Sequence, residues 1–144
     1  MRTNVPLEEM SDVLSKPILA TLAVHRKDGR MLLAPLWFDW EDGGFSIVVW
    51  ANDIKSRCLE RDPRATVLVA DPEPPYQNVE ICGEATVTKP DDLQARVLSM
   101  AIRYLGEEGG AEYAASFEGV DLELVRLVPG IVRAWDFRDD FEQS

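Results

Sequence analysis

The residues with the clearest chemical potential are four cations within the segment 55–64, which includes one short predicted helix. They are Lys55, Arg57, Arg61 and Arg64. The whole chain has 15 basic and 26 acidic residues, a net charge of −11, so this basic segment is a local exception. Free amide groups and the dipole at the start of a helix favour a phosphate, and Lys55 and Arg57 add full charges there. The segment predicts an anion site; the alternative is a solvated helix with surface pairs such as Glu60 with Arg64.

A second chemical signal is the aromatic strand 35–40, which reads Pro-Leu-Trp-Phe-Asp-Trp. Proline cannot donate a sheet hydrogen bond, so Pro35 predicts an edge strand or an interrupted one. Together with Trp50 on the following strand, these rings could line a pocket for a planar ligand. The alternative is that the rings fill the core, which we expect for at least one of Trp37 and Trp40.

The sequence has no motif for covalent or metal catalysis, so we assign no catalytic residue and expect no metal. Cys58 and Cys82 lack CxxC spacing, His25 is the only histidine, and no GxSxG, HExxH, Walker or GxGxxG motif occurs. The acidic balance argues against nucleic-acid binding. No apolar run approaches the ~20 residues of a membrane span. We expect a cytoplasmic protein that acts on a small molecule and contacts no membrane.

A small β-rich fold must position these residues. With 144 residues, 46% of them hydrophobic, the chain fits one domain over 1–138, followed by an acidic tail over 139–144. The patterns predict strands over 18–25, 31–40, 45–51, 65–70, 78–88, 122–128 and 131–137. They predict helices over 6–15, after Asn52 or Asp53, from 90 to a terminator at Gly106, and over 111–117, with a loop over 107–110.

The predicted connections define an architecture. We expect the first three strands to form a meander and the last two to form a closing hairpin around Pro129-Gly130. Gly83 predicts a bulge or a close backbone approach in a long bent strand. Most turns are too short for a parallel crossover. The sequence therefore predicts a mainly β protein, a small antiparallel barrel with peripheral helices.

Eight short segments, taken in order, form a recognisable set: 20–24, 28–30, 35–38, 55–59, 61–64, 71–76, 79–85 and 132–137. Together they resemble the flavin and deazaflavin split-barrel oxidoreductases related to pyridoxamine 5'-phosphate oxidase. The resemblance covers nearly the whole chain. It implies a six- to seven-stranded antiparallel split β-barrel of the FMN-binding type. It also implies a homodimer with two cofactor sites at the interface, each formed from both subunits.

The resemblance also implies which residues bind the cofactor. The cofactor phosphate is expected at Lys55, with Arg57 nearby. The ring is expected along the strand that holds Pro35, Leu36, Trp37 and Phe38, and the ribityl chain near Trp50, Ala51 and Asn52. Tyr76 and Gln77, after the prolines, are expected to reach the partner's site. Ile54 replaces a second basic residue of many relatives and Cys58 the commoner Asn, so reduced phosphate affinity is expected.

The deazaflavin branch of that family is the most similar, because of the Ala-Thr-Leu, Pro-x-Trp-Phe and Asp-Pro-Glu-Pro-Pro-Tyr runs. We therefore expect an oxidoreductase that transfers hydride between coenzyme F-420 and a small organic substrate, the cofactor supplying the redox chemistry. The alternatives are an FMN-dependent oxidoreductase of the pyridoxamine phosphate oxidase-like group and a non-catalytic flavin- or ligand-binding barrel. Turnover of pyridoxamine phosphate is not expected, since no second basic cluster is visible to hold a substrate phosphate.

Overall fold

A computed structural model describes residues 1–141 as a curled antiparallel sheet with peripheral helices. The strands are β1 (Ala20–His25), β2 (Met31–Leu36), β3 (Asp39–Glu41), β4 (Gly44–Trp50), β5 (Arg64–Ala70), β6 (Asn78–Thr88), β7 (Leu122–Leu127) and β8 (Ile131–Trp135). A 3-10 turn (Leu7–Met10) leads into α1 (Ser11–Ser15), and the other helices are α2 (Ile54–Arg61), α3 (Leu93–Ala115) and α4 (Arg138–Phe141). Among residues 1–141, no helix is both long and apolar enough to cross a membrane.

The sheet confirms the predicted split-barrel architecture. Its strands are ordered β2-β1-β5-β6-β7-β4-β3, with β8 paired to β6, and every pairing is antiparallel. Alternate residues of each strand point inward, as period-two patterning requires. On β1 the buried residues are Ala20, Leu22 and Val24. The inward residues and α1 form the main core.

The predicted meander of the first three strands is wrong in one respect: both of its antiparallel pairings form, but its middle strand is broken in two. The expected strand 31–40 is interrupted at Trp37-Phe38, and its two parts, β2 and β3, pair with β1 and β4 respectively. Phe38 has an exposed fraction of 0% and packs edge-on against Phe45, with ring centroids 5.4 Å apart. Burying this ring turns the chain from one part of the barrel to the other. Pro35 lies on the edge strand β2, as predicted, where its missing donor costs no sheet bond.

The predicted closing hairpin is also wrong, because β7 and β8 do not pair with each other. Both pair with β6: β7 with its second part, 85–88, and β8 with its first, 78–82. Between them Gly130 donates its N–H to the Cys82 carbonyl at 2.9 Å, so Pro129-Gly130 forms a bulge instead of a reversal. A Cβ at Gly83 would lie 2.6 Å from the Val128 carbonyl oxygen. Gly83 is thus the close approach that its position predicted.

Helix α3 consists of two arms, 93–105 and 107–115, joined at Gly106. Gly106 has φ 84° and ψ 172°, a conformation open to glycine but strained for other residues. The arms fold back so closely that a Cβ at Gly110 would lie 2.5 Å from the Ile102 amide nitrogen. The terminator at Gly106 was predicted correctly, whereas 107–110 are helical and not the predicted loop.

Helix α2 begins and ends where the sequence predicted. The Asp53 side chain accepts the Ile54 N–H at 2.7 Å, and the helix stops before Asp62-Pro63. The surface pair expected between Glu60 and Arg64 is absent from residues 1–141, since Arg64 binds Asp62 at 2.7 Å instead. Of the predicted acidic tail 139–144, the first part lies in α4, and 142–144 lie outside the described residues.

A buried carboxylate joins the two ends of the described chain. Asp136 is fully buried and accepts hydrogen bonds from the Arg2 guanidinium at 3.0 and 3.1 Å, with Arg138 3.6 Å away. Burial alone would raise the pKa of Asp136, but the Arg2 hydrogen bonds, the Arg138 amide and both positive charges together bring that pKa below its ordinary value. The ionised pair therefore stabilises the fold at neutral pH.

Candidate functional site

A cleft of about 470 Å³ lies between β2, β4 and the two arms of α3. Strand β2 and the residue after it contribute Pro35, Leu36 and Trp37. Facing them are residues of β4 and of the α3 region: Val48, Val49, Trp50, Val97, Met100, Tyr113 and Phe117. These walls are apolar or aromatic. Such a cleft suits a flat organic ring, because it removes apolar surface from water on both faces.

Trp37 is held in place by aromatic side chains from both arms of α3. Its ring stacks on Tyr104, with centroids 4.8 Å apart and planes 12° apart, and lies 4.8 Å from Tyr113 at a tilt of 47°. Tyr113 in turn contacts Phe117 with centroids 5.0 Å apart. Neighbours on several sides restrict the indole, so this wall of the cleft is preorganised.

Two residues of α3 fasten the chain where it passes from β2 to β3. The Tyr104 hydroxyl donates to the Ile18 carbonyl at 2.7 Å and accepts the Phe38 N–H at 3.1 Å, and burial raises the pKa of Tyr104. Arg103 binds the Lys16 carbonyl at 2.8 Å, the Asp39 carboxylate at 2.7 Å and the Phe38 carbonyl. These contacts fix the backbone on both sides of Trp37.

The polar end of the cleft is the start of α2. Lys55 and Asp53 line it and form an ion pair with each other. Among residues 1–141, no backbone carbonyl accepts the N–H of Lys55 or of Ser56. The Ser56 hydroxyl is fully buried and has no hydrogen-bond partner in the same part of the chain. An orphaned buried hydroxyl, two free amides and a cation form a donor set that fits a phosphate.

The structure brings five of the eleven predicted cofactor-binding residues into this cleft. They are Pro35, Leu36, Trp37, Trp50 and Lys55. Trp40, by contrast, packs edge-on against Phe45 with centroids 5.0 Å apart and borders the core. The expectation that at least one of Trp37 and Trp40 would fill the core is therefore met only in part, since Trp40 is half-buried at the edge of the core.

The other six predicted residues lie elsewhere in this single chain. The Phe38 side chain is in the core, and Arg57 lines a different cleft on another face of α2. Ala51 and Asn52 form the turn before α2, fastened to β7 by the Asn52 N–H, which donates to Glu123 at 2.9 Å. The two remaining positions, Tyr76 and Gln77, precede β6, and Tyr76 packs against Phe137 and Phe141 near the C-terminus.

Sequence reasoning missed the helical side of the cleft. Val97 and Met100 belong to the apolar face of a predicted helix. That pattern predicts that they are buried, but it does not predict that they line a cleft. Tyr113 and Phe117 follow the Gly106 kink, whose fold-back direction no local pattern specifies. The sequence predicted Asp53 as a possible helix cap. Its position two residues before Lys55 was the one signal that could have predicted its place in the cleft.

The side chains of this cleft are suited to binding a ligand, and they do not include a nucleophile paired with a general base. The only ionisable groups on its walls are Asp53, Lys55 and Tyr113. Asp53 and Lys55 neutralise each other, and Tyr113 packs among aromatic rings. Among residues 1–141, no group of three or more His, Cys, Asp or Glu could hold a metal ion. The cleft can hold a planar group with an anionic end and leave its ring against the aromatic wall.

Comparisons with known proteins agree with this geometry. The family model described as pyridoxamine 5'-phosphate oxidase matches residues 6–136. No curated protein matches the sequence.

Solved structures share the fold over most of the chain. The conserved hypothetical protein Rv2991 from Mycobacterium tuberculosis is 25% identical, with a TM-score of 0.79, over 93% of this chain and 86% of that one. A protein named F-420 reductase is 27% identical, with a TM-score of 0.71, over 89% and 98%. The FAD and heme binding protein from Mycobacterium smegmatis, 17% identical with a TM-score of 0.69 over 93% and 72%, shows the fold alone.

Proposed function

Since the chain belongs to the pyridoxamine 5'-phosphate oxidase family, we propose that it is an oxidoreductase that transfers hydride between bound coenzyme F-420 and a small organic substrate. The observation that carries the proposal is the cleft itself, whose apolar and aromatic walls end at Lys55 and the start of α2. The likeness to the F-420 reductase supports the choice of a deazaflavin. The family membership that the sequence predicts is confirmed.

The chain's own residues have defined tasks in this proposal. Lys55, the amides that begin α2 and the Ser56 hydroxyl hold the phosphate, and Pro35, Leu36 and Trp37 support one face of the ring. Val97 and Met100 exclude water from the opposite side. The deazaflavin, when bound, supplies the hydride chemistry. The protein therefore orients cofactor and substrate and needs no nucleophile of its own.

We also propose that two copies of the chain pack through the outer face of β2, β1, β5, β6 and β8. The residues that alternate with the buried ones give this face exposed apolar side chains, such as Leu33 at 62% and Ile131 at 73%, beside polar ones that include the Glu80–Arg133 ion pair. Pro35 lies on the same face and lines the cleft, so the face is continuous with the site. A second copy of the chain packed here would cover both this outer face and the opening of the cleft. Tyr76 and Gln77, predicted to reach the partner's site, remain a prediction within this proposal.

The dimer is tested by Leu33→Glu, which places a charge on the outer face of the edge strand β2, within the proposed contact. Sedimentation velocity is expected to give a dimer for the native chain and a monomer for the variant. Leu98→Glu is the matched control, because Leu98 is a 40% exposed leucine on α3, away from this face. A native monomer, or a dimer that survives Leu33→Glu, contradicts the proposed interface.

The function is tested by fluorescence titration with coenzyme F-420 and with FMN, followed by turnover assays with enones and quinones. Preferential F-420 binding with hydride transfer supports the proposal. Lys55→Ala is expected to weaken cofactor binding about tenfold or more, as loss of a charge-assisted phosphate contact does, whereas Arg64→Ala is the control outside the cleft. Preferential FMN binding would make FMN the cofactor in place of the deazaflavin. Tight binding without turnover would indicate a carrier or sensor.

A further inference from the structure

A second cleft of about 450 Å³ lies on another face of α2, where the helix meets the turn between β1 and β2. The helix contributes Arg57 and Arg61, with Ile54 and Cys58 at the same helical spacing, and the turn contributes Arg26 and Lys27. Residues three, four and seven apart share one face of a helix. Lys55 lies off that stripe and lines the first cleft instead. The two clefts are separate sites.

The walls of this second cleft carry four cations and one acid. Arg61 donates to the His25 carbonyl at 2.7 Å, and none of the four forms an ion pair with a carboxylate of residues 1–141. Asp28, the one acid on the walls, is bound by Arg30 at 2.7 Å. With four cations and one acid, this small cleft keeps a net positive charge, and its cations repel one another. Such a cluster on a chain of net charge −11 calls for a counter-ion.

We propose that this basic cleft binds a compact anion with adjacent phosphate groups, a diphosphate. Three of the four cations are arginines, whose forked donors bind phosphate oxygens in pairs. They lie on two opposite elements, so an anion with oxygens on two phosphorus atoms can reach both. The acidic remainder of the surface repels an extended polyanion, which argues for a small ligand. This inference does not depend on the cofactor proposed for the first cleft.

The test is isothermal titration of the full chain with inorganic diphosphate at low ionic strength. In a Lys55→Gln background, which removes the phosphate contact of the first cleft, we expect one remaining binding site, weakened roughly fivefold or more by either Arg57→Gln or Lys27→Gln, each the loss of one charged contact. Both side chains are exposed, so melting temperatures are expected to stay near the native value. Arg64→Gln, an exposed arginine paired with Asp62 outside the cleft, is the matched control and should change affinity less than twofold.

Three further measurements identify the ligand and the cleft that binds it. Orthophosphate is expected to bind at least about fivefold more weakly than diphosphate, because it cannot reach both walls. ADP is expected to bind no more tightly than diphosphate, since no aromatic side chain lines the cleft; much tighter ADP binding would make the ligand a nucleotide and overturn the choice of a bare diphosphate. Native protein and Lys55→Gln should share this site at the same affinity, and any further diphosphate that only the native protein binds is assigned to the first cleft. No binding at millimolar diphosphate, or equal losses with Lys55→Gln or Arg64→Gln, would overturn the proposal.

Discussion

Replacing Asp53 by asparagine is expected to strengthen binding of any cofactor that places a phosphate at the start of α2. In the structure the Asp53 carboxylate pairs with Lys55, the cation assigned to that phosphate. A phosphate bound to Lys55 would therefore approach a carboxylate of like charge. Asparagine removes the charge and keeps the helix cap, because Asn and Asp cap helices about equally well. The substitution therefore isolates the electrostatic effect.

The size of the effect follows from the contact geometry. Two unit charges ~4 Å apart interact by about 1 kcal/mol in water and about 4 kcal/mol at an effective dielectric of 20. The Asp53 side chain is 22% exposed, so the value lies between these limits and is reduced by salt. We expect a gain of about 1.5 kcal/mol, which corresponds to roughly tenfold tighter binding.

The assay compares FMN with riboflavin, which has the same ring system but no phosphate. Fluorescence titrations of the native chain and Asp53→Asn are expected to show tighter binding of FMN only, with the gain shrinking at high salt. Riboflavin serves as the internal control for any change in the ring pocket. Unchanged FMN affinity, or an equal gain for riboflavin, would refute the electrostatic role of Asp53.

Three other perturbations test the fold and the cleft. Gly106→Ala should destabilise the protein by about 1–3 kcal/mol in urea unfolding, because alanine is strained at φ 84°, whereas Gly109→Ala, on ordinary helical backbone, should be neutral or slightly stabilising. Arg2→Ala should lower stability most near neutral pH. The pKa of Asp136 is depressed below 3.8, so the pair's contribution is present above that pH and disappears as pH falls through the lower folded-state pKa; a pH-independent difference would contradict this. Trp37→Leu should weaken FMN and riboflavin binding equally, by about 1 kcal/mol, since it removes an aromatic contact with the ring.

The sequence alone predicted those structural features that depend on residues close together in the chain. Alternating strands, the Asp53 cap and the tight packing at Gly83 follow from patterns a few residues long. The Pro129-Gly130 pair illustrates the limit, because the same dipeptide suits a hairpin and a bulge, and only the partner strand β6 decides between them. Likewise, the break at Phe38 depends on a core that distant strands supply.

The binding residues were harder to predict than the fold. Lys55 and Arg57 are two positions apart and were assigned to one site, yet helical geometry turns them toward different clefts. Arg26 and Lys27 join Arg57 only through the packing of α2 beside the β1–β2 turn. No spacing within the sequence links these segments, which explains why a second basic cluster was not expected.

The position of β6 in the sheet also determines which parts of the backbone open to solvent. Over 78–82 this strand is hydrogen-bonded on both sides, to β5 and β8, so its amides exchange with deuterium only when large parts of the sheet separate. Strands β2 and β3 end the sheet order and can detach singly. Protection should therefore decline from β6 outward. The cleft uses Pro35 and Leu36 of the edge strand β2, so the proposed binding site includes backbone that can open by local fluctuation and that a bound ring would protect.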